Sequence, residues 1–365
     1  MSLRPRQEER RLAEPLIGAI RRASGKLGRE VRLMEVCGTH TVAIRRSGLR
    51  SLLPPNIRLI SGPGCPVCVT PAGYIDNALA LLERRGPTLA SFGDLLKVPG
   101  ASGGSLSGHL GGGRLRVLYS PAELLELARS SGGPVVFLGI GFETTVPAVA
   151  AAFLRAAEQG LDNLFLYPAF KTVPPALGAL LRGPGRNLDG FLLPGHVSVI
   201  LGLEPYRFLE APGGVPGVIT GFEPLDLLRG ILALVRQLAE GTRRVENAYE
   251  RAVRPEGNPK AREVMSRLLE PADALWRGLG LIPESGLELR PGFAGFDAAR
   301  RFGLPPVWNS EPAGCGCAEV LQGLQEPERC PLFGRACAPE SPVGPCMVSS
   351  EGACAAAYRY GGAEA

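Results

Sequence analysis

The stretch Val135–Leu154, VVFLGIGFETTVPAVAAAFL, decides the fold class. Its first four residues are apolar, as in a buried strand, and Val146–Gln159 carries apolar residues at helical spacing. Because Glu143, two threonines and Pro147 interrupt the stretch, it predicts a strand followed by a helix rather than a membrane span. A strand, a tight turn and a helix in this order are typical of α/β proteins.

The same alternation extends along the chain on both sides of this stretch. Short apolar runs predict eight strands: Val31–Val36, Ile57–Ile60, Leu89–Ser91, Leu115–Leu118, Val135–Leu138, Leu164–Tyr167, Phe191–Leu193 and Val218–Thr220. Helical spacing lies between them, at Ala72–Arg85, Pro121–Ser130 and Val146–Gln159. Strands that are apolar throughout are typical of parallel sheets covered on both faces. We therefore predict two parallel-sheet α/β domains that face a cleft.

The length of 365 residues exceeds one ordinary core and indicates two or three domains. We expect α/β domains at residues 1–130 and 131–222, joined at the loop SSGGP, and a helical and irregular domain at 223–365. In the last domain we predict three helices: Pro224–Glu240, Arg243–Val253 and the segment GNPKAREVMSRLLE. Beyond Gly280 the chain is rich in glycine, proline and cysteine, a composition that usually needs a metal site as its core.

Charge and composition exclude several classes of protein. The formal net charge is +5, but 40 basic and 35 acidic residues are spread along the chain without a run that indicates nucleic acid or a membrane surface. The N-terminal sequence MSLRPRQEERRLAEPL lacks the apolar segment of a secretory signal, so we expect a cytoplasmic protein. In that compartment, nine cysteines indicate metal binding or redox chemistry.

Four chemically unusual motifs each follow a predicted strand. They are CGTH, GPGCPVC, GFETT and LPGH, which begin at residues 37, 62, 141 and 193. In open parallel sheets, ligands bind beyond the carboxyl ends of the strands. We therefore expect the four loops to converge on one cleft.

The first two motifs concern sulfur. Cys37 is either a small buried hydrophobe or, with His40 three positions on, a thiolate or a soft-metal ligand. Cys65 and Cys68 have the spacing of a redox pair or of half a zinc site, in a loop that could expose both sulfurs. Because no second C-x-x-C completes a zinc site, we favour the redox pair.

The other two motifs concern proton-carrying side chains. GIGFETT is an incomplete dinucleotide fingerprint, since Thr144 takes the place of its last glycine. A tight turn explains the glycines but not Glu143, whose pKa burial would raise. His196 in LPGH is either a core histidine in a turn or a second member of the site.

The C-terminal cysteines are the most specific feature of the sequence. Six of them lie within forty residues: Cys315, Cys317, Cys330, Cys337, Cys346 and Cys354. Zinc and an iron–sulfur cluster each need only four such ligands, so the spacing does not choose between them. Nothing in the spacing matches a ferredoxin.

Together these motifs resemble one family across nearly the full chain. MEVCGTHT, GPGCPVCVTP, SFGDLLKVPG, GFETTVP, LPGHVSVI and CPLFGRACAPESPVGPCMVSSEGACAA are similar, in this order, to the HypD family of [NiFe]-hydrogenase maturation proteins. The resemblance implies a scaffold and redox protein that assembles an iron unit, Fe(CN)2CO, together with the small partner HypC. HypE, working with HypF, would supply cyanide, and the hydrogenase large subunit would receive the unit.

The resemblance also implies roles for residues. Cys37 would hold the iron, with His40 beside it, and Cys65 and Cys68 would form a thiol–disulfide pair. The family pattern C-x14-C-x6-C-x16-C assigns a [4Fe-4S] cluster to the following residues: Cys315, Cys330, Cys337 and Cys354. Cys317 and Cys346 are left over. Four further motif residues would manage protons or orient cyanide: Asp94, Lys97, Glu143 and His196.

Two other functions use the same residues. A general thiol–disulfide oxidoreductase with a [4Fe-4S] cluster would act on dithiols without HypC. In a zinc-stabilised binding module, the C-terminal cysteines would be structural and Cys37 inert. Nucleotide hydrolysis fits poorly, because the chain has no G-x-x-x-x-G-K-[ST] motif.

Overall fold

The structure is a computed structural model that describes residues 7–83, 86–183 and 187–361. Within these ranges the strands are β1 Val31–Glu35, β2 Ile57–Ser61, β3 Thr88–Ser91, β4 Leu115–Val117, β5 Val135–Gly139, β6 Leu164–Pro168, β7 Gly190–Pro194, β8 Gly217–Thr220, β9 Val245–Asn247, β10 Leu269–Trp276 and β11 Gly280–Leu289. All eight predicted strands are confirmed to within one residue at either end.

The helices lie mostly between successive strands. They are α1 Gln7–Ser24, α2 Gly38–Ser47, α3 Leu49–Leu52, α4 Ala72–Glu83, α5 Glu123–Ser130, α6 Val146–Glu158, α7 Val173–Arg182, α8 Gly195–Leu201, α9 Pro224–Glu240, α10 Pro259–Leu268, α11 Ala298–Phe302, α12 Cys317–Leu321, α13 Pro345–Val348 and α14 Ala353–Tyr360. The last two residues of the predicted helix Ala72–Arg85 lie outside the described residues. No helix in the described part of the chain is long and apolar enough to span a membrane.

Nine of the strands form two parallel sheets, as predicted. One sheet has the order β2-β1-β7-β8-β9, and the other has the order β4-β3-β5-β6. The central strands are buried almost throughout, β5 and β7 at every position, whereas the edge strands β4 and β9 are each buried at one of three positions. This explains the uninterrupted apolar runs in the sequence, because helices cover both faces of such sheets.

The predicted grouping of the strands into sheets is wrong. The first sheet joins β1 to β7 across more than 150 residues, and β3 pairs with β5 in the second sheet. The loop SSGGP near residue 130 therefore connects α5 to β5 within one sheet, so a division at that residue does not separate the two sheets. An apolar run identifies a buried strand but contains no information about which strands are its neighbours.

Two predictions in the C-terminal part are also corrected. Arg243–Val253 is not a helix: β9 pairs with the edge of β8, with Glu246 opposite Val218. Pairing with an open strand edge outweighs the weak helical preference of this segment. Beyond residue 268 the chain forms the antiparallel hairpin β10–β11, whose second strand begins at Gly280, where the predicted irregular segment starts. The helices α9 and α10 are confirmed.

The hairpin reaches into the centre of the molecule. Trp276, at the end of β10, is fully buried, and its ring lies 6.0 Å from that of Phe142 in the GFETT loop. The backbone amide of the next residue, Arg277, donates a hydrogen bond to the oxygen of Val69, directly after CPVC. The hairpin thus connects two of the four motif loops.

Candidate metal and thiol site

The CGTH and CPVC loops lie in direct contact. They follow the neighbouring parallel strands β1 and β2, so both leave the same edge of the sheet. The amide of Gly38 donates a hydrogen bond of 3.0 Å to the oxygen of Gly64. A Cβ atom on Gly64 would overlap the backbone of Cys37, so only glycine permits this approach. The predicted convergence of these two loops is therefore present.

A buried carboxyl group that the sequence analysis missed holds Cys37 in place. Glu35 accepts a hydrogen bond of 2.5 Å from the Thr41 hydroxyl and one of 3.3 Å from the amide of Cys37. Burial raises the pKa of Glu35 to about 8, although hydrogen bonds to the carboxylate oppose the shift. An acidic residue inside the apolar run VRLMEV is the signal that could have identified it.

The three N-terminal cysteines are buried. Cys37 is 8% exposed, Cys65 4% and Cys68 0%, so the expectation that the CPVC loop exposes both sulfurs is wrong. The C-terminal segment covers them: the Cys68 thiol donates to the oxygen of Pro345, 3.7 Å away. Burial raises the pKa of Cys37 to about 12 and that of Cys68 well above its usual value. Without a bound cation these thiols stay protonated.

His40 and His196 both lie against the ring of Phe222. The ring centroids are 4.8 Å and 3.9 Å from it, respectively. His40 is fully buried, and its Nε2 lies 3.1 Å from the oxygen of Gly221, so Nε2 carries the proton and donates. Burial lowers the pKa of His40 to about 4, which leaves a neutral ring whose Nδ1 has no partner among the described residues. His196 is exposed.

Glu143 is buried, as the sequence analysis supposed. One of its oxygens accepts a hydrogen bond of 2.8 Å from the amide of Val173, and the other has no partner among the described residues. Burial raises the pKa of Glu143 to about 7, which confirms the predicted direction. Burial, followed by the nearby Glu143 and Cys37, raises the pKa of Tyr206. Tyr206 was not predicted as a site residue. Its hydroxyl is coupled electrostatically to Glu143 of GFETT and to Cys37 of CGTH.

The raised pKa of Glu143 predicts a pH dependence of stability. Between the ordinary value of 4.5 and about 7 the native state keeps a proton that the unfolded state loses, so stability falls as the pH rises through this window. Glu143→Gln keeps the acceptor for Val173 and cannot ionise. We expect it to match the wild type near pH 4.5 and to exceed it by about 3 kcal/mol at pH 8, measured by urea unfolding. Parallel pH profiles for the two proteins would contradict this.

Asp94 and Lys97 are exposed, in and just after a short 3-10 helix that follows β3. Cys37, His40 and Glu143, by contrast, are buried. Neither residue shares the environment of the buried thiols.

The six C-terminal cysteines line one pocket, together with Phe333, Gly344 and Met347. The Sγ atoms of Cys317 and Cys346 lie 2.9 Å apart. Backbone amides point at two other sulfurs: Gly316 donates to Cys330 over 3.4 Å. Val343 likewise donates to Cys337 over 3.3 Å. Among the described residues no three metal-ligating side chains are arranged for a single ion. The donor set of this pocket, six sulfurs with amides aimed at two of them, fits the thiolate ligation and sulfur hydrogen bonding of an iron–sulfur cluster.

The C-terminal pocket adjoins the N-terminal cysteines. Cys346 and Cys317 both influence the pKa of Cys68, so these two cysteines, which the expected ligand set leaves out, lie beside CPVC. Glu351 accepts a hydrogen bond of 2.7 Å from Thr39 of the CGTH loop. The sequence analysis assigned no role to Glu351, although the motif VSSEGAC contains it. We call all nine cysteines together the sulfur-rich region.

Comparison with known proteins identifies the family. A family model described as "HypD: Hydrogenase formation hypA family" matches residues 11–361. The "Hydrogenase maturation factor HypD" of Azotobacter vinelandii is 47% identical over 341 residues, which cover 91% of this chain and 90% of that protein. The protein of the same description from Escherichia coli K12 is 42% identical over 334 residues, covering 91% and 90%. The "Hydrogenase maturation factor HypD2" of Bradyrhizobium diazoefficiens is 45% identical over 362 residues, covering 97% and 95%. The chain therefore belongs to the HypD family of hydrogenase maturation factors.

Proposed function

We propose that this maturation factor is the scaffold on which, with the small partner HypC, iron receives two cyanides and one carbon monoxide. HypE, working with HypF, would supply the cyanide, and the hydrogenase large subunit would take the finished unit. The observation that carries the proposal is the sulfur-rich region, where Cys37, CPVC and a pocket of six cysteines adjoin in the protein interior.

Cys37 is the proposed ligand of the iron that is assembled. A soft thiolate suits low-spin iron with strong-field ligands. Because burial raises the pKa of the Cys37 thiol to about 12, the thiol loses its proton only when the iron supplies the compensating charge. The hydrogen bond from its amide to Glu35 fixes the loop, so the sulfur is positioned before iron binds.

Cys65 and Cys68 form the proposed redox pair. The amide of Cys68 donates to the Cys65 sulfur over 3.3 Å, which keeps both sulfurs in one tight turn. Reduction of a disulfide between Cys65 and Cys68 to two thiols takes up two electrons and two protons. The [4Fe-4S] cluster, held by Cys315, Cys330, Cys337 and Cys354, would supply electrons one at a time when bound. The amides on Cys330 and Cys337 support those two as ligands, because hydrogen bonds to sulfur tune such clusters.

The polar groups around the thiols have roles in moving protons or orienting cyanide. His40 is neutral, and its Nδ1, which has no partner among the described residues, can accept a hydrogen bond. Glu143 has one buried oxygen without a partner in the described part of the chain and a pKa of about 7, so it can both take and give a proton near neutral pH. His196 is exposed and lies on the same phenylalanine as His40, which suits it to exchange protons with solvent. Asp94 and Lys97, which are also exposed, would act only at the entrance.

The proposed setting is the cytoplasm, without nucleic acid or membrane partners.

The main alternative is a general thiol–disulfide oxidoreductase. Such an enzyme must present its attacking sulfur to a dithiol or disulfide substrate. Cys65 is 4% exposed and Cys68 0%, so a protein substrate cannot reach either sulfur in this conformation. Burial therefore favours the scaffold.

Infrared spectroscopy tests the proposal. We expect the chain, purified anaerobically together with HypC from cells that make cyanide, to show stretching bands of metal-bound cyanide and carbon monoxide. The same sample should be brown, because an iron–sulfur cluster absorbs visible light and zinc does not. A brown sample without those bands would favour the oxidoreductase, and a colourless sample would favour the zinc-stabilised binding module.

A further inference from the structure

Arg277 is an arginine in the interior whose charge has no partner. It is 0% exposed, and all three of its guanidinium nitrogens lack a hydrogen-bond partner among the described residues. A guanidinium carries five N–H donors and stays charged at any physiological pH. Leaving such a group buried and unpaired is strongly destabilising. The interior around Arg277 therefore calls for a negatively charged group, which none of the described carboxylates provides.

The position of Arg277 indicates what this group is. Its amide donates to the oxygen of Val69 over 2.8 Å, one residue after Cys68. The next residue, Gly278, has a φ of 79°, and a Cβ there would press on the backbone of Ala318, one residue after Cys317. The oxygen of Gly278 also accepts a hydrogen bond of 2.7 Å from Gln322, just after α12. The turn of the hairpin thus lies between CPVC and the helix that begins at Cys317.

Among the described residues, no carboxylate forms a salt bridge with Arg277, since every salt bridge there involves another arginine. On its two sides the turn contacts Val69 and Ala318, the residues directly after Cys68 and Cys317, and the sulfur of such cysteines becomes anionic when they are thiolates or ligate an iron–sulfur cluster.

We propose that Arg277 is the counter-charge of anionic sulfur in the sulfur-rich region and raises its reduction potential. The inference rests on the proposed function and assigns a positioning residue within it. The anionic sulfur comes either from the cluster or from the reduced CPVC pair. Reduction adds negative charge to the cluster, and in the CPVC pair a cation beside Cys68 favours a thiolate over the neutral thiol, so Arg277 stabilises the reduced form in either case. The low dielectric of the interior makes the effect larger than at the surface.

The test compares Arg277→Met, Arg277→Lys and wild type, all purified anaerobically with cluster bound. Arg116→Met is the matched control, because Arg116 is exposed and loses the same charge. The cluster potential is measured by titration followed by electron paramagnetic resonance, and the CPVC potential by thiol alkylation and mass spectrometry. For Arg277→Met we expect the reduced form to be disfavoured at least about tenfold. That is a shift of about −60 mV for the one-electron cluster or about −30 mV for the two-electron thiol pair.

The outcomes separate the two sources of anionic sulfur. A shift of the cluster potential alone assigns Arg277 to the cluster, and a shift of the CPVC potential alone assigns it to the thiol pair. Arg277→Lys keeps the charge and should shift less, and Arg277→Gln, which loses the charge, is the decisive variant if the methionine variant does not fold. Unchanged potentials in a folded, cluster-loaded variant without the charge overturn the inference and leave the proposed function intact. If the wild type binds no cluster, the proposed cofactor is wrong. The reduction potential of the CPVC pair alone then tests the role of Arg277.

Discussion

Cys37→Ser removes the cyanide and carbon monoxide bands from the anaerobic complex while the brown cluster remains. Serine preserves the size of the side chain, but its hydroxyl is a much poorer ligand for soft, low-spin iron than a thiolate. Changes to groups that merely support a metal ligand cost about 10–100-fold in affinity, and loss of the ligand should cost at least about 100-fold. We therefore expect band intensities below detection, measured by infrared spectroscopy at matched protein concentration.

Two further variants exclude a folding defect as the cause. Ile44→Val shortens a fully buried side chain on α2, the helix that begins directly after Cys37, and should cost only about 1 kcal/mol. It should retain the bands if the thiol itself matters. Cys37→Ala should behave like the serine variant. Bands that persist at wild-type intensity in both Cys37 variants would exclude this residue as the iron ligand.

The sequence could predict which loops matter, because chemistry and secondary structure are both encoded locally. CGTH and CPVC each follow a buried strand, and this placed them correctly at one sheet edge. The burial of Cys68 could not be predicted in the same way. It depends on Pro345, 277 residues away, and no local pattern shows which distant segment covers a loop. The same limit explains why β7 was not recognised as the neighbour of β1.

The hairpin β10–β11 was not predicted either, although its sequence signal is local. Its turn contains Gly278 and Gly280, with φ values of 79° and 78°, and two such glycines favour a tight reversal. Pro271 and Pro283 within the strands obscured the alternation. The unpaired charge of Arg277, by contrast, becomes visible only when the burial of its whole environment is known.

Serine substitution of each C-terminal cysteine should divide the six into two classes. We expect four variants to lose the visible absorption of the cluster and most of its iron and sulfide: Cys315→Ser, Cys330→Ser, Cys337→Ser and Cys354→Ser. A [4Fe-4S] cluster is held by four thiolates, and in the proposed ligand set each of these positions supplies one. Loss should be most complete at Cys330 and Cys337, whose sulfurs already receive amide hydrogen bonds. The measurement is iron and sulfide per chain after anaerobic purification.

Cys317→Ser and Cys346→Ser are the matched controls in the same pocket and should keep the cluster. Their sulfurs lie 2.9 Å apart and face Cys68, which suits them to lie between the cluster and CPVC rather than to hold iron. We therefore expect these two variants to retain absorption but to slow the reduction of the CPVC disulfide. If instead Cys317→Ser or Cys346→Ser loses the cluster while Cys315→Ser or Cys354→Ser keeps it, the ligand set is wrong. The cluster would then be bound directly against Cys68, and electrons would need no intermediate sulfur to reach it.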